Sequence, residues 1–95
     1  MDKILNNLGL CNRANKLVSG TDIVIEEFRL NKVYLIFLAN DASDNKKKKI
    51  NDKAKYYGVD VICDYSSSEL SIALGKTNRM VIGIIDKGFV KILKK

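Results

Sequence analysis

The sequence predicts an α/β fold. Three observations carry that reading: apolar residues recur at helical spacing in several segments, short β-branched runs alternate with those segments, and one run, residues 33–39, is continuously apolar and aromatic. A run of that kind marks a strand covered on both faces.

Taken in order, Ile4, Leu5, Leu8 and Cys11 lie on one helical face behind Asp2, a capping residue, so a first helix is expected over about 2–14. Residues 17–19 form a short strand. Gly20, Thr21 and Asp22 then turn the chain into a second helix through about Leu30, with Val24, Ile25 and Phe28 inward and Asn31 closing it in a left-handed conformation. The run 33–39 belongs in the middle of the sheet. Ser43 or Asp44 caps a third helix that carries Ile50, Ala54 and Tyr57 at i, i+4, i+7 and stops at Gly58. Residues 59–63 read as a strand. Ser66 and Glu69 make a capping box that opens a short fourth helix ending by Gly75. Residues 80–85 are the last strand, and from Gly88 to Leu93 the chain forms a terminal helix or an extended tail. The expected product is a sheet of about four strands between helices, in one domain spanning residues 1–95.

Composition narrows the function. The 95 residues are 46% hydrophobic, enough for one core and too little for two domains. Lys and Arg outnumber Asp and Glu by 17 to 11, giving a net charge of +6 and a pI near 9.4. Such a field draws polyanions, which makes nucleic acid the first partner to weigh against the plainer alternative of solubility. There is no histidine, and Cys11 and Cys63 are far apart, so neither a zinc site nor a disulfide framework is indicated and a reducing cytosol fits best. The longest apolar run is far shorter than a membrane span and no signal-peptide pattern is present, so a cytoplasmic protein without a membrane partner is expected. Both cysteines, Phe37 and Phe89 read as core. With no histidine, a cysteine or serine nucleophile would need a lysine or a carboxylate as its base, and no enzyme activity, metal or cofactor is expected.

Candidate binding residues sit in three loops. These are Gly20, Thr21 and Asp22 after the first strand, Asn40 after the second, and Lys76, Thr77, Asn78 and Arg79 before the last. The last group combines backbone N–H donors, small polar side chains and two cations, a set suited to phosphate. Arg13 and Lys16, near the end of the first helix, are further candidates, although cations there also complement the helix dipole. Lys46, Lys47, Lys48 and Lys49 stand in the first turns of the third helix, where the dipole disfavours them; an anionic partner offsets that cost, and a solvated face is the alternative. Asp41, Asp64 and Asp86 follow three strands, but a capping or turn role suits them better than a metal site.

Several strings and their order resemble a known group. Residues 8–14, 16–20, 39–45, 75–79 and 86–89 together are similar to the kink-turn-binding ribosomal protein superfamily (L-seven-Ae/L-thirty-e), and within it to the small bacterial branch called YlxQ-like. The resemblance implies a three-layer α-β-α sandwich with a mixed sheet, and an RNA-binding surface around the turn into the second helix. It matches Lys16 and Gly20 to a basic residue and a glycine of the RNA-binding members. It also places Asp22, Ile23 and Glu26 where archaeal members carry the Asn-Glu pair and lysine that read the kink-turn. Asp22 donates no amide hydrogen bond and Ile23 offers no polar edge, so phosphate affinity with part of the base reading lost is expected. The partner expected is structured RNA, ribosomal or kink-turn-like, bound by a protein for which a monomer is favoured. The rival expectation is a protein-interaction module that keeps the fold, and exposure of Ile23 is the feature that distinguishes it.

Overall fold

The computed structural model describes residues 2–94. Its elements are α1 (Lys3–Arg13), β1 (Leu17–Ser19), α2 (Thr21–Arg29), β2 (Leu35–Leu38), α3 (Asp44–Tyr57), β3 (Asp60–Ile62), α4 (Ser67–Leu74), β4 (Val81–Ile84) and α5 (Lys87–Leu93). The strands pair in the order β1-β4-β2-β3, with β4 antiparallel to both of its neighbours and β2 parallel to β3. Helices α2 and α3 pack together on one face of this mixed sheet, and α1 packs with α4 and α5 on the other. The result is the expected three-layer α-β-α sandwich.

Local chemistry explains where the helices start and stop. The Asp2 carboxylate accepts from the Ile4 N–H at 2.7 Å, Ser43 Oγ accepts from Lys46 N–H at 3.3 Å, and Ser66 and Glu69 form the reciprocal capping box. Asp86 accepts from the Gly88 N–H at 2.7 Å and makes the terminal segment a helix and not a tail. Gly58 and Gly75, both left-handed, end α3 and α4, and Asn31 takes the same conformation just past α2.

The core lies on both sides of β2 and β4, every residue of which is buried. Leu8 and Cys11 of α1, Val24 and Phe28 of α2, Ile50 of α3 and Leu70 of α4 close on them, each fully buried. A Cβ on Gly83 would come within 3.4 Å of Val24 Cγ1, so the glycine lets α2 lie close on the sheet. Phe28 stacks on Tyr57 with ring centroids 5.5 Å apart and holds α2 to α3.

Three expectations need correction. The hydrogen-bonded strand β2 is shorter than the apolar run that contains it, although Tyr34 and Ala39 extend its pairing with β4 through bonds to Ile84 O and Met80 O. Cys63 is exposed, because β3 lies at the sheet edge and stops at Ile62, one residue before it. Phe89 is only partly buried, since it begins a terminal helix packed on one side. Among the described residues no helix is long and apolar enough to cross a membrane.

The two thiols therefore differ sharply. Burial, and to a lesser degree the Asp86 charge, pushes the Cys11 thiol up to about 12, whereas Cys63 stands in solvent. A thiol reagent at neutral pH is expected to modify one cysteine per native chain and two after denaturation, and Cys63→Ser is expected to abolish the native reaction. Equal reactivity of both thiols in the native protein would contradict the packing of α1.

Candidate nucleic-acid interface

Strands β1, β2 and β3 run in one direction, so the N-termini of α2, α3 and α4, which follow them, collect at one end of the sheet. Because β4 runs the other way, the segment entering it, residues 75–79, arrives at that same end. Backbone bonds lock the loops together: Gly20 N–H donates to Val81 O at 2.9 Å, Ala39 N–H to Met80 O at 2.8 Å and Asn40 N–H to Tyr65 O at 2.8 Å. Each helix N-terminus carries about half a positive elementary charge, so three of them face the same region.

Helix α2 differs from the others at its start. Asp2, Ser43, Ser66 and Asp86 each cap a helix with a side chain, but the cap of α2 is Gly20, which makes no such bond. The first-turn N–H groups of Thr21, Asp22 and Ile23 are left open to a ligand. Gly20 sits at φ 105°, ψ 138°, a conformation that side chains resist. A Cβ built there would lie 4.0 Å from Arg79 Nη1, which places the guanidinium beside this helix start. Arg79 is itself held by a bond from its N–H to Ser71 Oγ at 2.8 Å, while its buried Nε has no partner. A cation beside the positive end of a helix dipole is unfavourable unless an anion joins them.

The neighbouring loops extend this positive end. Lys46 Nζ lies 3.8 Å from Met80 Sδ, bringing the start of α3 against the entry to β4. Lys76, Thr77 and Asn78 are exposed along α4, with Asn78 in a left-handed turn at φ 54°. Asn40 is exposed beside them. Asp41, at the same end, is committed elsewhere: both its oxygens accept from Ser67, N–H at 2.8 Å and Oγ at 2.9 Å, and these bonds lower its pKa.

Of the residues singled out from sequence, Gly20, Thr21, Asp22, Asn40, Lys76, Thr77, Asn78 and Arg79 come together here. Lys16 does not. It lies at the opposite end of β1, about 13 Å away along the strand, where its carbonyl accepts from Ile85 N–H and its Nζ is 3.8 Å from Asp86. Arg13 is exposed on the seam of α1 and α4, near Ile72 and Ala73. The three aspartates also separate, because the antiparallel β4 carries Asp86 to the Lys16 end. The fold decides two placements that the sequence left open: Lys46 joins the loop cluster, and Ile23, 55% exposed, stands beside Gly20. A signal for the second was the absence of a second apolar residue one turn on, where Glu26 and Glu27 stand.

The fold and this loop cluster define an α-β-α sandwich that gathers three helix N-termini and several cations at one sheet end. The chain belongs to the ribosomal protein L7Ae/L30e/S12e/Gadd45 family, whose model matches residues 2–94. It is 43% identical over 93 residues to the RNA-binding protein YlxQ of Enterococcus faecium, covering 98% of this chain and 89% of that protein. It is 45% identical over 82 residues to the RNA-binding protein YlxQ of Bacillus subtilis (strain 168), covering 86% and 82%. Among solved structures, a Bacillus halodurans protein of unknown function superposes with a TM-score of 0.94 at 36% identity, over 98% of this chain and 94% of that one. The Giardia lamblia 15.5kD RNA binding protein superposes with a TM-score of 0.82 at 17% identity, over 96% and 78%, a likeness of fold.

Two consequences are measurable. Gly20→Ala is expected to cost about 1–3 kcal/mol in denaturant unfolding, from the backbone strain at its positive φ. Because the Asp41 pKa is lowered on folding, its contribution to stability is full above the ordinary carboxylate range and is lost as pH falls through the lowered value. Asp41→Ala is therefore expected to lower the thermal midpoint at pH 7 and to flatten its decline below about pH 4.

Proposed function

We propose that this chain is a non-catalytic RNA-binding protein that grips structured RNA by its phosphates at the loop end of the sheet. The observation that carries the reading is the uncapped start of α2 beside Arg79, where open backbone N–H donors stand next to a guanidinium whose buried Nε has no partner. Lys76 and Lys46 add charge to either side, and the YlxQ relatives are named as RNA-binding proteins. A sharply bent backbone, as in a kink-turn or a ribosomal RNA junction, brings several phosphates within reach of such a compact cluster. Thr21 and Asn78 supply neutral polar contacts, while Asp22 and Ile23 offer no amide donor to a base edge. A second reading, a protein-binding face centred on Ile23, draws on that residue's exposure alone.

Titration of a labelled kink-turn RNA and its straightened duplex across a salt series tests the proposal. Tighter binding of the kink-turn with a steep salt slope is the expected result. Lys76→Ala with Arg79→Ala is expected to reduce that slope by roughly 2 and to weaken binding at least about 10-fold in a folded protein. No binding of either RNA at low salt would overturn the proposal in favour of a protein partner.

A further inference from the structure

The basic side chains of α3 are more numerous than the loop site needs. Lys46, Lys47, Lys48, Lys49, Lys53 and Lys55 lie on this one helix, and none takes part in a salt bridge among the described residues. Their angular positions divide them. At about 100° per residue, Lys46, Lys49 and Lys53 fall within about 60° of one another, while Lys48 and Lys55 project from the far side of the helix.

The first set forms a stripe that starts at the loop site. Lys46 is fixed there by its approach to Met80, and Lys49 and Lys53 continue along the flank into a shallow depression bordered by Asp52, Tyr56 and Tyr57. Tyr56, 83% exposed, ends the stripe and stands edge-on to Tyr57 with ring centroids 5.0 Å apart. From Lys46 to Lys53 the helix rises about 10 Å, on the order of three nucleotide steps along one strand. Three cations at that spacing, two of them past the reach of the loops, have no acidic partner among the described residues. Those nearest the helix start also oppose its dipole.

We propose that the Lys46, Lys49 and Lys53 flank of α3 is a second tract of the RNA interface, one that follows the phosphates of a helical stem leading away from the loop site. This rests on the RNA-binding reading above. The loops hold the bent or irregular part of the RNA, and α3 holds the regular stem beside it, through phosphates and without regard to base sequence. The tract thus favours RNAs whose structured element is flanked by a duplex of sufficient length over the same element standing alone.

The test uses the full chain and two kink-turn RNAs, identical except for a flanking stem of ~4 base pairs or one of ~14, long enough to pass Tyr56. Lys49→Gln with Lys53→Gln is expected to lower the salt slope by nearly 2 on the long-stem RNA, to weaken it about 10-fold at ~0.1 M salt, and to leave the short-stem RNA unaffected. Lys48→Gln with Lys55→Gln removes the same charge from the far side and is expected to match the unmodified protein on both RNAs. Long-stem binding unchanged by the first pair overturns the proposal, as does an equal loss from both pairs, which would make net charge the cause. If the unmodified protein bound neither RNA, the loop-site reading itself would fall and take this tract with it, a result distinct from either of those.

Discussion

The placement of β4 is the constraint on which the rest of the structure depends. It is buried along its whole length, so its backbone N–H and C=O groups need partners on both edges, and β1 and β2 supply them. Its antiparallel direction then decides which loops become neighbours. Entering at the end where β1 and β2 finish, it delivers residues 75–79 to the starts of α2 and α3 and sends Asp86 to the far end with Lys16. A parallel β4 would exchange those two groups, leaving the uncapped α2 start beside an acid.

Much of the fold was legible because its signals are local. Asp2, Ser43, the pairing of Ser66 with Glu69, and the left-handed Asn31, Gly58 and Gly75 each act within a turn of where they stand, and each marks the boundary the sequence suggests. The loop candidates were legible for the same reason: Gly20 at a helix start, and two cations beside Asn78 in a turn, are local patterns. The misplacements are all non-local. Lys16 stands four positions before Gly20, yet an extended strand of that length separates the two by the depth of the sheet. Cys63 continues an apolar run, but whether such a run is covered depends on its place in the sheet, and β3 is at an edge. The approach of Lys46 to Met80 depends on the pairing of β2 with β4, which no spacing within α3 reveals.

The electrostatics of the loop end run against the stability of the isolated chain. Three helix N-termini, Arg79, Lys76 and Lys46 are positive, and the nearby Asp41 spends both oxygens on Ser67. Asp22, in the first turn of α2, is the one acid placed to soften the field at the uncapped helix. Concentrating like charge in this way is costly in a small protein and is the kind of local conflict that marks a surface shaped for a partner.

The pairing of β1 with β4 also has a consequence for how the molecule comes into being. Leu17 and Ile84 lie opposite each other in the sheet yet are separated by most of the chain, so this contact closes only after nearly everything between them has been made. During synthesis from the N-terminus, α1, β1 and α2 leave the ribosome with the central strand of their sheet still missing. Gly20 then has no Val81 carbonyl to hold it and no Arg79 beside it. A growing chain therefore carries no assembled loop cluster until its last strand emerges, and that end of the sheet takes its shape in one step with the completed fold.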